Sequence, residues 1–181
     1  KIVIAAAGNV EHNYIVDLAE KAFCDLPHRL NTNYEPIKYQ GGDYREICDL
    51  EQVHIVMGLD GVSYKDPDYY SMSVLSTLLG GGMSSRLFQE AREKRGLVYS
   101  IYSFASSFED GGIFGIYAGT GRDEVGELLP IICFELQKLA EKIDDDEVAR
   151  ARSQLKAATL MALESTTSRS EQVARQLQIF G

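Results

Sequence analysis

Several ingredients of familiar catalytic and membrane motifs are missing from this sequence. No apolar run approaches the roughly 20 residues needed to span a bilayer. The richest stretches, such as Val53 to Leu59, are strand-sized and flanked by polar residues. Basic residues are in deficit, with 18 Lys and Arg against 27 Asp and Glu for a net charge of -9. That balance repels phosphate backbones and anionic membrane surfaces, so nucleic acid is not an expected partner. Cysteine is limited to Cys24, Cys48 and Cys133, widely separated and without a C-x-x-C pair. This argues against a disulfide framework and against a cysteine zinc site, leaving reduced, buried structural thiols as the expectation.

Histidine is equally sparse. His12, His28 and His54 are scattered, and His12 begins neither H-E-x-x-H nor H-x-x-E-H. Zinc needs ligands that converge, usually two on one helix face plus a third, so no metal site is expected within this chain. No G-x-S-x-G elbow and no recognisable cysteine signature is present, which leaves covalent hydrolysis unsupported. The run Gly80 to Gly82 lacks the lysine and spacing of a phosphate loop and follows a helix where such a loop would precede one.

What remains is ordinary globular material, 45% hydrophobic and 25% charged, enough for a sizeable core. Ile2 to Ala7 reads as a strand, and Asn9 as a turn or cap before the helical pattern Tyr14, Ile15, Leu18, Ala19, Phe23. From Pro27 to Asp49 breakers such as Asn31, Asn33, Pro36 and Gly41 dissolve the pattern into a linker. Val53, Ile55, Met57 and Leu59 alternate as a strand ending at Asp60-Gly61. Pro67 opens a helix that stops at Gly80 to Gly82, and a second runs from Ser84 or Ser85 to Arg95. Val98 to Phe108 and Ile113 to Ala118 form a hairpin through Asp110-Gly111. Helices follow over Arg122 to Lys142, where Pro130 suggests a kink, and over Asp146 to Leu163, introduced by the capping run Asp144 to Glu147. The Ser-Thr-rich STTSRS breaks the chain before a last helix capped near Ser170. The sum is an α+β domain, a mostly antiparallel sheet with helices packed on one face.

The most informative stretch is LLGGGMSSRLFQEAREKRGLVYSIYSFASSFEDGGIFGIY, Leu78 to Tyr117. Its Gly-rich turn, helix ending in REKRGL and following YS strand closely resemble the second homologous domain of the insulinase, pitrilysin and mitochondrial processing peptidase superfamily of zinc metallopeptidases. The opening VIAAAGNVEHNYIVDLAEKAFCDLP resembles the strand and helix that close such an enzyme's first domain. The resemblance implies residues 1–29 as the end of a preceding homologous domain, 30–50 as linker, and 51–181 as a second, non-zinc domain incomplete at its C-terminus. Lys1, running straight into KIVIAAAG, fits neither a signal peptide nor a natural start and is read as an internal boundary, so truncation is expected at both ends.

Members of this superfamily carry zinc on H-x-x-E-H and a distant glutamate in the first domain, so the resemblance places the metal in another domain or subunit of the parent enzyme. To the present segment it assigns an assisting role, an arginine and a tyrosine seven positions later that hold substrate backbone and developing oxyanion. Arg92 and Tyr99 match that spacing. Preorganised donors of this kind each contribute on the order of 2 to 4 kcal/mol to the barrier. The alternative is a solvated helix charge and an ordinary strand aromatic. Gly80, Gly81 and Gly82 correspond to the glycine-rich loop associated with precursor peptides in processing peptidases, or else simply stop a helix.

The resemblance therefore implies part of a zinc metalloendopeptidase, inactive alone, acting on a peptide or unfolded precursor and paired, as a dimer, with a homologous zinc-bearing domain or subunit. The rival is a non-catalytic scaffold or peptide-binding subunit like the core proteins of cytochrome reductase, and a third is a free-standing binding module. Reduced cysteines and no visible export signal point to a bacterial cytoplasm or an organelle matrix.

Overall fold

The computed structural model describes residues 2–26 and 35–181. Its elements run α1 (His12–Phe23), β1 (Val53–Gly61), α2 (Tyr69–Gly80), a π-helical turn (Phe88–Glu93), β2 (Val98–Ser107), β3 (Gly112–Thr120), α3 (Val125–Glu141), α4 (Asp145–Ala162) and α5 (Thr166–Phe180). The chain divides into two compact units, one of Ile37–Leu155 and one of Lys1–Pro36 with Lys156–Gly181.

In the larger unit β3 is central, with β1 and β2 antiparallel on its two sides. The alternation that marks these strands in sequence decides which residues share a face. Ile55 and Ile101 both lie opposite Ala118, and Met57 and Ser103 both lie opposite Ile116. On that face they meet Leu78 and Leu79 of α2, Leu87 and Ala91 at the π turn, and Leu128, Ile132 and Leu139 of α3. Burying one such side chain is worth about 1.5 to 3 kcal/mol, so this single apolar layer orders the unit. The opposite face carries His54, Val56, Tyr102, Phe104 and Tyr117. Tyr102 stacks on Tyr117 with ring centroids 4.9 Å apart, and His54 Nδ1 lies 2.8 Å from the Tyr117 hydroxyl. The α+β expectation, a sheet with helices on one side, is met. The hairpin closes where Asp-Gly predicted it, the Phe108 N–H donating to the Gly111 carbonyl at 2.8 Å.

Several local expectations are corrected. Residues 2–7 form no strand, because a strand needs a neighbouring ladder for its N–H and C=O groups, and no described residue supplies one. Asn9 lies in a turn, and α1 starts after Glu11, which makes no side-chain cap bond. α2 begins at Tyr69, two residues beyond Pro67, because Asp66 accepts the Asp68 N–H first and holds a turn there. The helix expected from Ser84 or Ser85 to Arg95 is largely the π turn. The cap of α5 is Ser165, whose Oγ accepts the Ser168 N–H at 3.3 Å, whereas Ser170 lies inside the helix and donates to the Thr167 carbonyl. The cysteines are free, and all three are exposed where buried thiols were expected, since each sits outside the apolar layer. Residues 35–50 carry no helix or strand. Pro27, Asn31 and Asn33 of the expected linker, and His28, lie outside the described residues.

Candidate functional site

The glycine run closes α2 where that helix meets β2. A Cβ on Gly80 would stand 2.3 Å from the Ser103 backbone nitrogen and 2.7 Å from its Oγ, so only glycine allows the approach. Ser103 Oγ then donates to the Ser76 carbonyl at 2.7 Å, tying strand to helix. The Gly81 N–H donates to the Thr77 carbonyl at 2.9 Å, and the Gly81 carbonyl accepts from Gln154 Nε2 at 2.7 Å. The Gly82 carbonyl accepts from the Ser85 hydroxyl at 2.6 Å. Each of the three glycines thus has a packing or turn-closing task.

Immediately after, Arg86 makes a contact that sequence reasoning missed. Its Nε and Nη2 fork onto the Glu147 carboxylate at 2.9 and 2.6 Å, and Nη2 also reaches the Lys142 carbonyl at 3.0 Å. The two side chains are 11% and 22% exposed. The hydrogen bond from Arg86 holds the Glu147 carboxyl below its ordinary value of 4.5 against the opposing effect of burial. The pair fixes the start of α4 against the segment that leads into the π turn.

In that turn the Lys94 N–H returns to the Gln89 carbonyl at 3.0 Å, the five-residue register of a π turn. The wider turn sorts the cations of the REKR run. Lys94 and Arg95 both pair with Glu90, Arg95 Nη1 at 2.6 Å, and Glu90 is held below its ordinary value of 4.5 by hydrogen bonds from Lys94 and then Arg95. Arg92 has no carboxylate partner among the described residues. Its guanidinium lies over the Phe88 ring, 5.0 Å from the centroid. The i, i+4 spacing of Glu90 and Lys94 was legible in sequence, as was that of Phe88 and Arg92.

From Arg92 the chain turns at Gly96, whose φ of +65° favours glycine. The Gly96 N–H donates to the Arg92 carbonyl at 3.0 Å and the Leu97 N–H to the Ala91 carbonyl at 2.8 Å. The buried Thr120 hydroxyl donates to the Leu97 carbonyl at 2.5 Å. β2 then begins with an irregularity: Val98 opposes Thr120 and Ser100 opposes Gly119, leaving Tyr99 as the extra residue of a bulge. Such bulges re-aim side chains and are frequent beside active sites. Tyr99 is 63% exposed. Along β2, Ser103, the anchor of Gly80, stands about 13 Å from Tyr99 at strand rise. The result is a guanidinium without a carboxylate partner among the described residues and an exposed phenol, on successive segments joined by a held turn, two donors able to meet a carbonyl oxygen or an anion.

Among the described residues no group of three or more His, Cys, Asp and Glu side chains converges as a metal site. His12 begins α1 and His54 is engaged with Tyr117, so the donor set among the described residues does not fit a zinc ion.

Residues 1–155 match the family described as Peptidase M16 inactive domain. This chain belongs to that family. The M16 domain is 39% identical over 181 residues to a protein of Rickettsia felis named as an uncharacterized zinc protease, covering 99% of this chain and 44% of that one. It is 33% identical over 196 residues to a probable mitochondrial-processing peptidase subunit beta of Arabidopsis thaliana, covering 100% of this chain and 37% of that one. The chain therefore spans less than half the length of these relatives. A chain in the structure of Complex III2 from Candida albicans shares the fold, with a TM-score of 0.80 at 24% identity over 96% of this chain and 44% of that chain. The resemblance carried by Leu78 to Tyr117 is thereby borne out, and this M16 inactive domain belongs to a family of zinc proteases.

Proposed function

We propose that this domain is the non-zinc part of a zinc metalloendopeptidase, closing the peptide chamber and supplying Arg92 and Tyr99 to a bound peptide. The observation that carries the reading is the state of the two side chains. Among the described residues Arg92 is the cation of its run left without a carboxylate, and Tyr99 is the exposed residue at a bulge. A guanidinium and a phenol aimed at one peptide carbonyl hold it by hydrogen bonds that strengthen as negative charge gathers on the oxygen. Arg92 is carried on a hydrogen-bonded turn and Tyr99 on the strand bulge that follows it. Gly80 serves this site by fixing α2 on β2, Gly81 and Gly82 close the turn that leads toward it, and residues 1–29 belong to the end of a preceding homologous domain. Zinc belongs to another domain or subunit of the parent, with which this part forms a dimeric or two-domain enclosure around a peptide or unfolded precursor. No helix of the described residues is long and apolar enough to cross a membrane. Bacterial relatives and a plant processing-peptidase relative support a bacterial cytoplasm or an organelle matrix as the compartment.

The test is made in the intact zinc-bearing protein. Arg92→Ala and Tyr99→Phe are each expected to lower turnover of a long peptide at least tenfold, about 1.4 kcal/mol of barrier, with bound zinc unchanged. Unaltered turnover in both variants would overturn the assisting role and favour a non-catalytic scaffold.

A further inference from the structure

Arg92 needs something to aim it. It stands on an exposed turn with no carboxylate among the described residues to anchor it, and a free arginine side chain samples many rotamers. The group beneath it is Phe88, whose ring centroid is 5.0 Å from the guanidinium carbon. Phe88 is half-buried and packed against the core, so its ring is fixed while its outer face remains available. A cation within about 6 Å of a ring centroid is drawn to that face, and stacking leaves the in-plane N–H donors of the guanidinium unspent. A carboxylate would hold the group by consuming those donors. Glu90, two residues from Phe88, is occupied by Lys94 and Arg95 and so does not compete for it.

We infer that Phe88 is a positioning residue for Arg92, a platform that orients the guanidinium while keeping its hydrogen-bond donors free for the peptide oxygen. The inference rests on the reading that Arg92 meets the bound peptide. Phe88 itself touches no substrate in this scheme and acts through Arg92, so its influence falls on the step that Arg92 assists.

The experiment uses the intact zinc-bearing protein and a long peptide, with kcat and KM measured separately and folding checked by thermal unfolding. Phe88→Leu and Phe88→Met keep an apolar side chain of similar size in the core and remove the aromatic face, so if one fails to fold the other carries the test. Either is expected to lower kcat about threefold to tenfold, the span of a cation–π contact, with KM within about twofold. Phe88→Tyr restores kcat. Combined with Arg92→Ala, the Phe88 change adds nothing further, because the residue through which it acts is gone. Wild-type kcat in folded Phe88→Leu or Phe88→Met beside an impaired Arg92→Ala overturns the positioning role and leaves the Arg92 reading intact. Equal losses from the Phe88 change with and without Arg92 also overturn it. Wild-type turnover in Arg92→Ala removes the reading beneath it.

Discussion

The Gly96 N–H donates to the Arg92 carbonyl at 3.0 Å. This one bond closes the path from the π turn to the bulge at Tyr99. Around it, the Ala91 carbonyl takes the Leu97 N–H and the Leu97 carbonyl takes the buried Thr120 hydroxyl. Guanidinium and phenol are therefore carried on two short segments joined by a hydrogen-bonded turn. Positioning of that kind is what assistance at a peptide carbonyl requires.

The hydroxyl of Thr120 is testable alone. Thr120→Val keeps the shape and leaves the Leu97 carbonyl without its donor, a loss of about 1 to 3 kcal/mol for a buried group. A lowered unfolding midpoint is expected, together with a loss of turnover in the intact protein larger than that of an equally destabilising change remote from Tyr99. Chemical denaturation paired with peptide kinetics checks both.

Gly80→Ala places a methyl 2.3 Å from backbone nitrogen. Neither partner can step aside without separating α2 from β2, so destabilisation of about 2 to 4 kcal/mol is expected. Gly82→Ala meets the end of a flexible side chain, Gln154 Nε2 at 3.0 Å, and is expected to cost less than about 1 kcal/mol. A Gly82→Ala variant that folds normally yet loses turnover would assign the loop a part in peptide handling, beyond ending a helix.

The Arg86–Glu147 pair predicts an acid-side weakness. Both Glu147 and Glu90 have folded values depressed below 4.5 by their cationic partners. A depressed carboxyl stabilises the fold fully above its unfolded value and loses that contribution as pH falls through the folded one. Stability is thus expected to hold near neutrality and decline from about pH 5 downward. Glu147→Gln is expected to flatten this decline and to lower stability at pH 7 by about 2 to 4 kcal/mol, because it leaves the Arg86 charge largely buried without its counter-ion. Urea unfolding from pH 7 to pH 3 reads both effects; an unchanged slope would show that the pair contributes nothing.

Gly96→Ala tests the turn. A Cβ there meets no atom within 4 Å, but φ is +65°, so the change is expected to cost about 1 to 2 kcal/mol from backbone conformation alone. Gly96→Asn, better tolerated in that region, recovers part of it. Thermal unfolding of the two variants side by side decides the point.

Much of the fold was legible because its signals are local. The period-two run Val53 to Leu59, the Asp-Gly hairpin and the helical periods after Arg122 all report contacts made within a few residues or by a repeating face. Arg92 and Tyr99 were legible as candidates only through the resemblance carried by REKRGLVYS. The misses have a common physical cause. Ile2 to Ala7 has strand composition without a ladder beside it among the described residues, and strand formation depends on the neighbour as well as the residues. The π register arises from a shift of one residue in hydrogen bonding that no propensity encodes. Cys133 has the spacing of a helical residue, yet which side of α3 faces the core is decided by Leu128, Ile132 and Leu139 together.

Taken by itself, the order of residues determined most of the elements, the Asp-Gly hairpin and the lack of an H-x-x-E-H or H-E-x-x-H pattern, since each depends on neighbours close along the chain. Tertiary structure alone decided that Arg86 is spent on Glu147, 61 residues away. It also decided that Arg92 lies over Phe88 with no carboxylate among the described residues bound to it, and that Tyr99 falls on the bulge. Those outcomes follow from burial and strand register, which exist only once distant segments have met.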